Sequence, residues 1–213
     1  MLAHELKTPL ATMHLRLDAA ASGSREIRQA MRDMDGVIER CLQTARLGDR
    51  QLVAHRTTVD VAALVRDAAS SCSHPARVQL HLPPRWVMHT DRQLLFIVLN
   101  NLLENACKYA APDTPIEVRL SPANPKADPG DGMQAGADLR MEIANPPGPA
   151  GWPDPAQVFS KYYRSPHARR QAGTGLGLYL VRSVMQTLGG AITYAPDASS
   201  VRFVLELPEM RAA

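Results

Sequence analysis

The chain reads as an α+β protein, with a helical hairpin first and an α/β sandwich after it. Three observations predict this. Apolar residues recur at three- and four-residue steps up to Leu47. From about Gln51 short alternating runs of strand type are mixed with helical stretches. Those strands and helices can be layered, with the helices gathered on one side of a sheet. The expected division is residues 1–48 for the hairpin and 51–213 for the sandwich.

Leu2, Leu6, Leu10, Met13 and Leu17 form one stripe of a first helix, which the Ala- and Gly-containing run from Ala19 to Ser24 ends. A second helix runs from about Arg25 to Leu47. It carries Ile27, Met31, Met34, Ile38, Cys41, Leu42 and Ala45 on one face, and Arg28, Arg32, Asp33, Glu39 and Arg40 on the other. A hairpin of two such helices is too thin to bury both stripes, so it should pair with a second copy as a four-helix bundle.

Within the sandwich, Val59 to Ser71 reads as a helix begun near Asp60, and Val78 to Leu82 alternates as a strand. Arg85 to His89 reads as another strand, and Asp91 to Ala110 as a long helix with Asp91 as N-cap. Ile116 to Leu120 and Leu139 to Ala144 read as paired strands. The Pro-, Gly- and Asp-rich stretch Ser121 to Asp138 between them reads as a hairpin loop. Asn145 to Ala172 holds six prolines and reads as irregular. A helix from about Leu176 to Leu188 and strands Ala191 to Ala195 and Val201 to Leu207 complete the domain.

Composition narrows the function. A net charge of +3 without a long Lys/Arg run, and 5% aromatic residues, argue against a nucleic-acid partner. Cys41, Cys72 and Cys107 are widely spaced, with no CxxC pair and no disulfide framework, and read as reduced, buried thiols. The seven histidines show no metal-ligand spacing. The longest apolar stretch, Leu94 to Leu99, is far below the roughly 20 residues that span a bilayer.

Three constellations carry chemistry. In His4-Glu5-Leu6-Lys7-Thr8-Pro9-Leu10, His4 and Thr8 lie one helical turn apart, away from the apolar stripe. Pro9 bends the helix there. Glu5 can hold the imidazole tautomer that leaves the other ring nitrogen free to attack. In Asn100-Asn101-Leu102-Leu103-Glu104-Asn105-Ala106-Cys107-Lys108-Tyr109, Asn101, Asn105 and Lys108 fall on one helical face. Amide oxygens can ligate Mg²⁺ without adding negative charge beside a triphosphate, and Lys108 offers a point charge to phosphate oxygens. In Gly173-Thr174-Gly175-Leu176-Gly177-Leu178, glycines let backbone N–H groups approach phosphates at a helix start. The spacing fits neither a Rossmann fingerprint nor a P-loop.

These strings resemble, in order, the H-box, N-box and G2 box of sensor histidine kinases. Phe159-Ser160-Lys161-Tyr162-Tyr163-Arg164 between them is similar to the F-box of the family's ATP lid. The resemblance covers nearly the whole chain. It implies the sandwich shared by histidine kinases, gyrase-type ATPases and Hsp90-type chaperones. It further implies ATP and Mg²⁺, autophosphorylation on His4, and transfer to an aspartate of a response regulator. By the same resemblance Glu5 is the acid/base or orienting partner, Thr8 supports phosphatase activity, and Glu104 helps proton transfer. Asn105 holds the metal, and Asn101, Lys108, Tyr109, Gly173, Thr174, Gly175, Leu176 and Gly177 bind nucleotide. Arg164 reaches a phosphate as the lid closes, while Phe159 and Tyr163 pack.

The family's G1 box has an Asp for the adenine amino group, and here Asn145 stands in its place, followed by Pro146 and Pro147. An uncharged acceptor predicts a weaker bond, and the prolines a stiffer lid. The family's first helix begins well before the H-box, whereas His4 lies near the start of this chain. The expectation is therefore an N-terminally incomplete piece, the cytoplasmic portion of a sensor anchored in a bacterial inner membrane by a missing upstream region. Two alternatives stand beside the kinase: a degenerate signalling scaffold that binds a regulator without phosphorylating it, and a gyrase- or chaperone-type ATPase.

Overall fold

The computed structural model describes residues 53–124, 133–135, 138–165, 168 and 174–209. All of them belong to a compact unit, Leu52–Ala213. The hairpin expected over residues 1–48, with His4, Glu5 and Thr8, lies outside the described residues, as does Gly173.

The element order is β1 (Thr57–Asp60), α1 (Val61–Ser71), a 3-10 turn (Pro75–Arg77), β2 (Val78–His81), β3 (Arg85–Thr90), α2 (Arg92–Tyr109), β4 (Ile116–Pro122), β5 (Met133–Ala135), β6 (Leu139–Asn145), α3 (Gly177–Thr187), β7 (Ala191–Tyr194) and β8 (Val201–Leu207). A five-stranded sheet has the order β2-β4-β6-β8-β7, and a three-stranded sheet the order β1-β3-β5. In the larger sheet β2 and β4 are parallel and the other pairs antiparallel.

Period-two alternation sets which face of the large sheet is buried. Ile116, Val118 and Leu120 of β4, Leu139, Met141 and Ile143 of β6, and Val201, Phe203, Leu205 and Leu207 of β8 are buried. The opposite face carries charge. Arg140 pairs with Glu142 and Glu206, both at 2.9 Å, and Arg202 reaches Glu142 at 3.4 Å. Half-exposed pairs of this kind add little stability each, but they match only in this register.

The helices complete the core from the apolar side. Leu95, Val98, Leu99, Leu102 and Leu103 of α2 are fully or almost fully buried, as are Leu64 and Val65 of α1 and Leu180, Val181 and Met185 of α3. α2 packs against both α1 and α3 and reaches β6. Truncating one of its leucines, such as Leu99→Ala, would cost roughly 2–5 kcal/mol. Asp60 caps α1 by accepting from the Ala63 amide at 3.2 Å. At the far end of α2, Arg77 donates to the carbonyls of Thr114 at 2.9 Å and Ala111 at 2.7 Å, holding the chain as it leaves the helix.

Two expectations need correction. Val59 belongs to a strand, since Thr57–Asp60 pairs antiparallel with β3 and places Val59 opposite Met88. Three successive β-branched residues favour extension, and the Asp60 cap delays the helix to Val61. The stretch Ser121 to Asp138 is more than a loop. β4 runs on to Pro122, and Met133–Ala135 pairs in parallel with β3.

Candidate functional site

The site is organised where α2 meets the start of α3. Asn101 uses its amide nitrogen on the helix itself, donating to the Ile97 carbonyl at 2.8 Å. That commitment leaves its oxygen facing the start of α3. A Cβ added at Gly177, the first residue of α3, would lie 3.1 Å from Asn101 Oδ1 and 3.7 Å from Asn105 Nδ2. Gly177 is therefore small because Asn101 crowds the space beside it, with Asn105 in ordinary contact range. Asn105 is half-buried, and among the described residues its side chain has no hydrogen-bond partner. The start of α3 also lacks a side-chain cap: Leu176 is the N-cap residue and is buried. Helix N–H groups that no side chain among the described residues caps, and a glycine beside two amides, form a cradle suited to an anion and its cation.

Two more glycines hold other segments against this centre. Gly148 donates its N–H to the Tyr109 carbonyl at 3.0 Å, and a Cβ there would sit 2.6 Å from that same oxygen. The Asn145–Gly148 stretch is thus pressed onto the last turn of α2, with Ala111 N–H also donating to Pro146 at 3.1 Å. Gly175 has φ +71°, and a Cβ would lie 2.7 Å from the Tyr162 and Tyr163 backbone. Only glycine accommodates both conditions. Around these joints the cations rest on rings. Lys108 lies over Tyr109, Lys161 over Tyr179, and Arg182 over Phe159, at 4.9, 4.7 and 5.8 Å.

Residues 90–211 match the family model described as histidine kinase-, DNA gyrase B-, and HSP90-like ATPase. The chain belongs to that family. The match starts one residue before Asp91 and takes in α2, the Asn145 stretch and α3. The chain is similar to the swarming motility regulation sensor protein RssA of Serratia marcescens, at 26% identity over 97% of this chain and 45% of that protein. It is also similar to the sensor histidine kinase GlrK of Escherichia coli K12, at 29% identity over 99% of this chain and 46% of that protein. The chain thus spans just under half the length of these curated relatives. The crystal structure of full-length ShkA in complex with AMPPNP shares its fold, with TM-score 0.68 at 24% identity over 100% of this chain and 45% of that one. These similarities place the chain with the catalytic regions of sensor histidine kinases inside the ATPase family.

Within this ATPase domain the structure brings together Asn101, Asn105 and Gly177, sets the Tyr109 carbonyl against Gly148, and lays Lys108 over the Tyr109 ring. Thr174 Oγ1 accepts from the Leu176 amide at 3.4 Å, tightening the turn before α3. Asn145 is buried at the end of β6, and its amide nitrogen donates to the Pro146 carbonyl at 2.9 Å. Its oxygen is consequently the end available to accept. Glu104 faces elsewhere: its carboxylate accepts from the backbone N–H and hydroxyl of Ser73, just beyond α1. Arg164 donates to the Ala168 carbonyl at 2.8 Å. Phe159 packs edge-on against Phe203 at 6.1 Å, and Tyr163 accepts from the Asp154 amide at 2.9 Å, so both aromatics pack as their positions suggested.

Sequence reasoning missed Gly148 as a contact on α2, although a glycine wedged among three prolines was a visible signal. It also missed the Lys161–Tyr179 pair, which joins two segments far apart in sequence and left no local trace.

Proposed function

We propose that this chain transfers the γ-phosphoryl group of Mg-ATP to His4 and then to an aspartate of a response regulator. The observation that carries the reading is the convergence of Asn101 and Asn105 on Gly177 at an uncapped helix start. It occurs in a chain of the histidine kinase-like ATPase family that also holds His4-Glu5-Leu6-Lys7-Thr8-Pro9.

The donor set fits a hard cation beside phosphates, being neutral amide oxygen rather than sulfur or imidazole. Asn105 would hold Mg²⁺, with Asn101 beside it, and the ion would neutralise triphosphate charge. The Gly177 end of α3 offers amide N–H groups to phosphate oxygens, and Lys108 can leave the Tyr109 ring to pair with them. The Asn145 oxygen accepts from the adenine amino group.

A His4 ring nitrogen attacks phosphorus in line. The N–P bond forms as the bond to the ADP oxygen breaks, and Glu5 takes the imidazole proton. Positioning and charge neutralisation supply most of the acceleration. Thr8 supports the opposing hydrolytic activity on the phosphorylated regulator, by placing a water for attack on its phosphoaspartate. Residues 1–48 form the dimerising hairpin, which makes the working unit a homodimer. The ATP-binding part would be residues 51–213. Membrane attachment would come from a sensor region upstream, leaving this portion in the cytoplasm.

The decisive experiment incubates the chain and His4→Ala with γ-labelled Mg-ATP. Label that depends on His4, is lost in acid and survives base is expected. Label that persists in His4→Ala, or steady phosphate release without labelled protein, would sink the reading and favour a plain ATPase.

A further inference from the structure

Two cysteines face each other beneath the surface where α1 ends and α2 passes. Cys72 is the C-cap of α1, and Cys107 lies in the last turns of α2, between Asn105 and Lys108. Both are buried and free. The Cys107 S–H points to the Cys72 sulfur at 3.7 Å, while the Cys72 S–H donates to the Ala69 carbonyl at 3.2 Å. The neighbouring rung is polar and exposed: Ser73 donates its N–H to Glu104 at 2.9 Å, and its hydroxyl bonds the same carboxylate. The two thiols are therefore in van der Waals contact, beside an exposed polar rung that already ties the same joint.

We propose that Cys72 and Cys107 are a reversible dithiol–disulfide pair whose oxidation by a small peroxide staples α1 to the helix that carries Asn101, Asn105 and Lys108. The step balances as follows. Burial and the neighbouring Cys72 push the Cys107 thiol up to about 11, so the Cys72 sulfur reacts first. It attacks a peroxide oxygen, the O–O bond breaks, its proton joins the departing hydroxide as one water, and a sulfenic acid is left on Cys72. The second sulfur attacks the sulfenic sulfur, forming the S–S bond and expelling a second water. The two thiols lose two electrons in all, and hydrogen peroxide takes them.

Geometry gives the staple a consequence. Sulfurs at 3.7 Å must approach to about 2 Å for a bond. The remaining distance is taken up by side-chain rotation and by drawing the Cys107 turn of α2 toward α1. Asn105 and Lys108 flank that turn, so the nucleotide cradle is disturbed along with it. The bond would also close a loop of 35 residues, which constrains the unfolded chain. The oxidised protein should thus be more stable and bind nucleotide less tightly. The second of these effects rests on the proposed ATP site, and the first does not.

The test uses the full chain with Cys41→Ser, so that only the pair remains, treated with hydrogen peroxide and then digested without reductant. A cross-linked peptide containing Cys72 and Cys107, about 2 Da lighter than the two reduced peptides together, is expected. The melting temperature should rise by about 5 °C or more, and the rise should vanish with dithiothreitol or in Cys107→Ser. ATP affinity should fall at least threefold on oxidation and recover on reduction. Sulfinic acid on either cysteine without a cross-link, or two titratable thiols after treatment, would overturn the pair. A cross-link with unchanged ATP affinity would overturn its effect on the site. If the reduced chain binds no ATP at all, the proposed function fails while mass and melting still judge the disulfide.

Discussion

The starts of α2 and α3 face the same physical problem and solve it in opposite ways. Each helix begins with backbone N–H groups that have no partner within the helix. At α2 the protein supplies its own anion: buried Asp91 accepts from Gln93 at 2.9 Å and Leu94 at 3.0 Å, and its other oxygen takes the His55 amide at 2.8 Å. At α3 no side chain among the described residues caps the helix, and Gly177 lets Asn101 lie close against its first turn. The first arrangement adds stability and excludes ligands. The second gives up a cap and leaves a positive helix end available to a phosphate. Placed side by side, they suggest a general reading: a capped helix start anchors the fold, and an uncapped one beside converging polar groups is kept for binding.

The largest break in this comparison comes from removing the closed end. Asp91→Ala leaves three amides unserved in or near the core and should cost roughly 2–3 kcal/mol. Thermal denaturation should show a drop of roughly 5–10 °C, with ATP affinity of the folded protein unchanged within twofold. A large loss of affinity in the folded protein would mean that Asp91 serves the site and the contrast fails.

Gly177→Ala acts on the open end and should separate stability from binding. Alanine favours the helix by up to about 1 kcal/mol over glycine, yet its Cβ would press on Asn101 Oδ1 at 3.1 Å. We expect melting to stay level or rise while ATP affinity falls about tenfold, near 1.4 kcal/mol. Equal affinity in the variant would show that the Asn101–Gly177 contact does not shape the cradle.

This contrast was half legible in the amino-acid sequence. Asp91 preceding an apolar-periodic run announced its cap, and the spacing of Asn101, Asn105 and Lys108 announced a shared face, because both signals are local to one helix. β6 was legible for the same reason, since alternation along Leu139–Asn145 is a property of one strand. What was not legible depends on distant partners. β5 sits in a stretch whose composition reads as loop, and is a strand only because β3 offers it an edge. Glu104 was assigned by motif to the reaction, while its partner Ser73 lies 31 residues earlier across the α1–α2 packing. Pro146 and Pro147 were read as stiffening a lid, and the carbonyl that the following Gly148 approaches belongs to Tyr109.

A second self-supplied anion sharpens the comparison at lower energy. In the turn between β7 and β8, Asp197 accepts from the backbone N–H groups of Ser199 and Ser200, from both serine hydroxyls, and from Arg202. The Ser199 amide and the Ser200 hydroxyl lead in holding its carboxyl well below the usual carboxylate range. A depressed folded-state pKa means that the unfolded chain takes up the proton first. The turn's contribution is therefore present above the unfolded value near 4, and is lost as pH falls below it. Asp91 is buried in the core, whereas this turn is exposed, so the effect should be small. Asp197→Asn should lower the melting temperature by about 1–3 °C at pH 7, and the difference from the parent should shrink steadily as the pH is taken below 4. A gap that stayed constant with pH would assign the turn's stability to the hydrogen-bond geometry alone, and charge would then not be what makes a self-supplied anion hold backbone amides in this fold.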